Sequence, residues 1–164
     1  MENWLTDNIV RICEIFNKHE LQFMAVGGVA VALHGYLRLS KNSVGEVIDK
    51  PDLDFWYNPN YKNYFRLLDA LEELKLDVLE FKQEQTPNPK KSFFRYNLPT
   101  FTLDLLPEIK SKLDFQTCFS KKEVVLIQDV PIPFLSFDDL IADKKKSGRA
   151  KDIEDLGNLK KIDH

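Results

Sequence analysis

Apolar residues first recur at helical spacing. Leu5, Ile9, Ile12 and Phe16 fall on one side of a helix, and Lys18 and His19 place cations in its last turn. The pattern then shortens to an apolar run, Phe23 to Val26, that ends at Gly27-Gly28 and passes into Ala30, Leu33, His34 and Leu37. This predicts a strand, a tight turn and a second helix closing near Gly35-Tyr36. His34 lies on or beside the apolar stripe, where a lone histidine reads as a hydrogen-bonded core residue rather than a base or ligand.

Asn42 to Pro51 mixes charge with Gly45 and Pro51 and reads as a loop or small hairpin inserted before the next strand, D-L-D-F-W-Y from Asp52 to Tyr57. On a strand, Asp52 and Asp54 share one face while Leu53 and Phe55 take the other. Asn58-Pro59 supplies a cap and a first-turn proline for a helix that carries Tyr64, Leu67, Leu68, Leu71 and Leu74 on its covered side. Asp77 to Phe81 reads as a short strand and Thr86 to Lys91 as a loop.

Two β-rich runs follow, Ser92 to Asn97 and Phe101 to Leu106, joined by Leu98-Pro99-Thr100 and expected to pair. Thr102, Asp104 and Leu106 share a face, which leaves a lone aspartate inside an apolar strand. Glu123 to Gln128 and Val130 to Leu135 predict a hairpin about Asp129, and Pro131 and Pro133 place its second arm at a sheet edge. Ser136-Phe137-Asp138-Asp139 fits a capping box, Gly148 ends that helix, and a last helix carries Ile153, Leu156 and Leu159.

With 43% hydrophobic residues in 164, the chain can bury one core, so a single domain spanning 1–164 is expected, with the apparent insert at 42–51. A net charge of −3 and a pI near 5.7 argue against a broad nucleic-acid footprint but allow a local basic patch. No apolar run is long enough for a membrane span, and Met1-Glu2-Asn3-Trp4 lacks the form of a secretory leader. A cytoplasmic location, without membrane association, is the resulting expectation. Cys13 and Cys118 have no metal-type spacing and read as small buried hydrophobes.

The Asp52/Asp54 pair is weak evidence alone, because with 26 acidic residues such pairs arise several times by chance. Its setting strengthens it: carboxylates beside Phe55, Trp56 and Tyr57 lose solvent, and like charges so close need a cation. Oxygen ligands of this kind suit Mg²⁺ or Mn²⁺. Asp104 can add a third ligand if its strand lies beside that of Asp52 and Asp54. The alternative is an edge-strand pair open to water.

The order G-G, then H-G-Y-x-R-x-S-K, then D-x-D-F, then a lone strand aspartate resembles the nucleotidyltransferase superfamily built on the DNA polymerase β palm. The C-terminal D-L-I-A-D-K-K-K-S-G-R-A-K-D-I-E-D-L is similar to the small bacterial branch related to abortive-infection (AbiEii-type) nucleotidyltransferases. The resemblance implies an α+β fold, with a mixed sheet of the polymerase β-like type, helices packed on it and a short C-terminal helical pair. It implies nucleotide binding by Gly27, Gly28, Arg38, Ser40, Lys41, Lys144 and Arg149, with Lys151 and Asp152 nearby. Catalysis and metal binding fall to Asp52, Asp54 and Asp104, with Mg²⁺ or Mn²⁺ as cofactor and an NTP as substrate.

The function so implied is transfer of a nucleoside monophosphate from an NTP to a hydroxyl by a two-metal-ion mechanism. The acceptor stays open between RNA, a protein and a small molecule. The alternative is a catalytically inactive nucleotide- or partner-binding member of the same fold, such as one half of a toxin–antitoxin or defence pair. The insert at 42–51 and the lack of the helical domain that larger relatives use for the acceptor favour it. Lys144-Lys145-Lys146 reads equally well as a solvated basic helix end, and Asp152 and Asp155 as surface partners of Lys151 or Arg149. A third reading, RNA binding through the Lys90-Lys91 and Lys121-Lys122 loops, is opposed by the acidic balance and by the lack of exposed aromatics among the basic residues.

Overall fold

The computed structural model describes residues 3–35, 50–149 and 153–157. Helix α1 (Asn3–Lys18) leads into β1 (Phe23–Val26), which passes directly into α2 (Gly27–Leu33). Strand β2 (Asp52–Tyr57), helix α3 (Tyr61–Glu73) and the single turn α4 (Leu79–Lys82) follow. A 3₁₀ turn at Pro89–Lys91 precedes β3 (Phe94–Asn97) and β4 (Thr102–Leu106). Helix α5 (Phe115–Ser120), the β5–β6 hairpin (Glu123–Ile127, Val130–Phe134) and α6 (Phe137–Ser147) complete the named elements, and a short helical segment covers 153–157.

The strands form one mixed sheet in the order β3-β4-β2-β1-β6-β5. β2 runs antiparallel to β1 and parallel to β4, and the registers divide the side chains cleanly between two faces. Phe23, Ala25, Leu53, Phe55, Leu103, Leu105 and Phe94 share one face, on which α1 packs. Phe16 of α1 meets Phe23 edge-on at 5.0 Å and Phe55 at 5.8 Å. The opposite face carries Val26, Asp54, Trp56, Arg95, Asp104 and Leu106, and α5 covers its Trp56 end through Phe115 at 5.1 Å. The strand alternation read from the sequence therefore holds, and it separates a dry face from one bearing charge.

Several expectations are corrected. β6, with Pro131 and Pro133, is an inner strand, and β5 is the edge. The hairpin turns on Gln128 and Asp129, both at positive φ, so Val130, Ile132 and Phe134 direct their backbone groups to β5. The prolines point the other way, where β6 meets β1 only through the Ala25–Phe134 register, so no ladder bond is lost. The Pro131 carbonyl on that side accepts from Asn17 Nδ2 at 2.9 Å.

Asp77 to Phe81 is not a strand, because Asp77 Oδ1 accepts from the Leu79 N–H at 3.1 Å and starts the turn α4. Helix α3 is capped by Asn60 rather than Asn58, the Asn60 Oδ1 accepting from the Asn63 N–H at 2.8 Å. Asn58 is buried, its amide donating to Gln22 Oε1. The Ser136 cap is present and Gly148 closes α6 at φ 65, but Asp139 turns to Lys121 instead of back to the cap. In segment 153–157 Ile153 is exposed and Asp155 is fully buried, the reverse of the expected packing. Among the described residues, no helix is long and apolar enough to cross a membrane.

Candidate active site

The charged face of the sheet forms the floor of a cleft of about 600 Å³. Asp54 lies opposite Val26 on one side and Asp104 on the other, so the last residue of β1 and two carboxylates sit in a row across three strands. Gly27 turns the chain out of β1 at φ 58, a left-handed conformation costly to residues with a β-carbon. A β-carbon there would stand 2.7 Å from Asp54 Oδ2. Gly27 thus both makes the turn and leaves room for the carboxylate.

Asp104 is 4% exposed, and both its oxygens accept from Arg95 of β3, Nε and Nη2 each at 2.9 Å. This bidentate pair is possible because Arg95 lies directly across from Asp104 in the β3–β4 register. Burial pushes the Asp54 carboxyl up to about 7, and the Asp104 carboxylate, a hydrogen bond to it and the charge of Asp52 add to the shift. The Lys144 ammonium opposes them.

Lys144 is 3% exposed and its Nζ lies 2.9 Å from Asp155 Oδ2, so it is neither solvated nor at a surface pair. Lys145 and Lys146 do face solvent. Arg149 is exposed at the cleft, with its Nε donating to Ser147 Oγ at 3.0 Å. Asp143 Oδ1 accepts from the Ser111 N–H at 3.1 Å and so fastens the loop after β4 to α6.

Of the residues singled out from the sequence, Gly27, Asp54, Asp104, Lys144 and Arg149 line one cleft. Gly28 stands next to Gly27 in the first turn of α2. Asp52 shares the face of Asp54 but is exposed and outside the lining. Among the described residues, no three His, Cys, Asp or Glu side chains are grouped so as to hold a metal ion. The donor chemistry nevertheless suits a hard divalent ion: adjacent oxygen donors include one, Asp54, that its surroundings drive to hold a proton. Arg95 is the cation that bonds Asp104 directly. Arg38, Ser40, Lys41, Lys151, Asp152 and residues 42–49 of the insert lie outside the described residues.

The sequence reading missed Arg95, Phe93, Lys110 and Lys112 in the cleft wall, and it set Lys90 and Lys91 aside for want of an exposed aromatic among the basic residues, whereas Phe93 beside them is exposed. Alternation along F-F-R-Y puts Phe93 and Arg95 opposite the buried Phe94, a signal that becomes informative once the face of Asp104 is assigned. His34 is a packed residue, as expected: its Nε2 donates to the Leu135 carbonyl at 2.9 Å and its ring meets Phe134 at 4.8 Å. Both cysteines are buried, and burial pushes the Cys118 thiol up to about 12.

No protein-family model and no curated protein sequence matches the chain. Its fold is similar to that of the lincosamide antibiotic adenylyltransferase LnuA, solved with lincomycin bound: 15% identity, 93% of this chain and 94% of that one, TM-score 0.58. It is also similar to the antibiotic-resistance factor ANT(2'')-Ia, at 17% identity over 97% of this chain and 84% of that one, TM-score 0.59. A third likeness, to an antigenic nucleotidyltransferase-like protein from Paracoccidioides brasiliensis, has 12% identity over 94% and 74% of the two chains and a TM-score of 0.52. At these identities the likeness shows the fold: an α+β protein with the nucleotidyltransferase type of mixed sheet.

Proposed function

We propose that the cleft transfers a nucleoside monophosphate from an NTP to a hydroxyl acceptor. The observation that carries this reading is the Asp54–Asp104 register on the cleft floor, backed by Gly27, in a sheet of the nucleotidyltransferase type. Asp54 and Asp104, with Asp52 at the margin, would hold Mg²⁺ or Mn²⁺. Such an ion supplies a lowered pKa at the attacking hydroxyl and charge for the leaving pyrophosphate.

The chain's own residues have separate tasks. Asp54 and Asp104 fix the position of the reacting centre, because their strands are parallel and in register. Lys144, held by Asp155, and Arg149 set positive charge against the phosphates at the α6 end of the cleft. Gly27 and Gly28 let backbone approach the triphosphate, a role taken from the resemblance. The narrower likeness to the abortive-infection branch rests on the C-terminal sequence alone.

Pyrophosphate release from mixed NTPs, measured with and without Mg²⁺, tests the proposal. Metal-dependent release that Asp104→Ala abolishes is the expected result, and release that persists in that variant removes the mechanism.

One observation favours a second reading, that of a non-catalytic nucleotide- or partner-binding protein, such as half of a toxin–antitoxin or defence pair. Arg95 already occupies both oxygens of Asp104. Thermal stabilisation by NTP without turnover would support it.

A further inference from the structure

The wall of the cleft opposite α6 holds a feature that the transfer chemistry does not use. Lys90 and Lys91 belong to the 3₁₀ turn and Phe93 follows, 46% exposed although the core-facing neighbour Phe94 is buried. Among the described residues, neither lysine has an acidic partner. The turn is firmly seated: the buried Tyr57 hydroxyl reaches the Pro89 carbonyl at 2.8 Å and also bonds the Ser92 carbonyl, while Ser92 Oγ donates to the Asn88 carbonyl at 2.8 Å. Pro89 is buried beneath it. The Arg95 guanidinium lies over one side of the Phe93 ring, 5.8 Å from its centroid, while it bonds Asp104 on the floor.

A rigid mount that displays a half-exposed aromatic ring and two ammonium groups with no acidic partner among the described residues offers stacking and phosphate contact together. Those are the two interactions by which proteins hold single-stranded nucleic acid. Cationic side chains outnumber acidic ones along the whole cleft, seven to four, in a chain of net charge −3. A polycationic acceptor would be repelled there, and an anionic one drawn in.

We infer that Lys90, Lys91 and Phe93 form the acceptor subsite, and that the acceptor is the end of a single-stranded nucleic acid. A base stacks on Phe93, the backbone phosphates lie on the two lysines, and the terminal hydroxyl is directed past Arg95 to Asp104. This rests on the transfer reading above, which assigns the α6 end of the cleft to the NTP.

The test is fluorescence anisotropy of a labelled oligoadenylate of about eight nucleotides, a length within the footprint of such grooves. It is run with the full chain, without metal or NTP, over a series of salt concentrations, with ATP alone as a parallel ligand. Phe93→Ala is expected to weaken the oligonucleotide about ten-fold with little change in salt dependence. Lys90→Glu with Lys91→Glu should weaken it further and lower the slope of log K against log salt by at least about 1. Lys62→Glu, exposed on α3 and outside the cleft, should match the parent chain.

Absence of oligonucleotide binding, or tighter binding of a polycationic aminoglycoside, overturns the inference. So does a Phe93→Ala variant that loses ATP affinity alone, since the ring would then serve the donor base. Pyrophosphate release with failed oligonucleotide binding removes only the acceptor class. Oligonucleotide binding as expected, with no release under any condition, removes the transfer reading and leaves a binding site.

Discussion

Arg95 and Asp104 face each other across β3 and β4 and join through two hydrogen bonds of 2.9 Å, the arginine mostly exposed and the aspartate buried. In Arg95→Ala the buried carboxylate stays beside Asp54 without its partner. With the guanidinium half in water, the expected loss is about 1–2 kcal/mol, less than for a fully buried pair. Mg²⁺ should then raise the Tm of the variant more than that of the parent chain, because the vacated oxygens need a cation. Equal shifts in thermal melts would show that Arg95 and the ion do not compete.

Gly27→Ala puts a β-carbon 2.7 Å from Asp54 Oδ2 at a φ of 58. The steric and backbone contributions together should cost about 1–3 kcal/mol. In the double variant with Asp54→Ala the clash vanishes and only the backbone part, about 1 kcal/mol, should persist. A double-mutant cycle by urea unfolding reads the difference, and additive effects would mean that Gly27 is needed for the turn alone.

Asp54 carries a pH signature. Its carboxyl is raised from 3.8 to about 7 by burial and by the charges of Asp104 and Asp52. An acid whose folded value exceeds its unfolded one adds stability that is complete below the unfolded value and is lost as pH rises through the folded one. Between pH 4 and 7 the metal-free chain should therefore lose stability on the order of a few kcal/mol from this group. Asp54→Asn should flatten that slope. Chemical denaturation across the interval, in EDTA, compares the two.

Lys144 and Asp155 make a buried ion pair at 2.9 Å. Lys144→Met strands a negative charge, and a loss of about 3 kcal/mol is expected. Adding Asp155→Leu should recover most of that stability but not pyrophosphate release, since the cleft has lost a cation. Recovery of both would restrict Lys144 to a structural part.

The sequence revealed those features that follow from a period or a spacing. Alternation in D-L-D-F-W-Y and F-T-L-D-L-L assigned three aspartates to one kind of face, and β2 and β4 are indeed neighbours in the sheet. What stayed hidden depends on which partner a residue meets. No period or spacing singles out Arg95, and only the β3–β4 register sets it across from Asp104. For Lys144 a solvated helix end and a site role stood level, because its neighbours Lys145 and Lys146 are exposed, and its burial follows from the ion pair with Asp155. The two prolines of β6 suggested an edge because composition does not disclose toward which neighbour a missing N–H would have pointed.

The parallel seam between β2 and β4 couples the packing of the core to the placement of the cleft carboxylates. Side chains alternate along β4, so sliding it by a single residue against β2 would send Asp104 into the phenylalanine-rich interior and lift Leu105 onto the wet side. A chain so misaligned would lose its core packing and the pairing of its two carboxylates together.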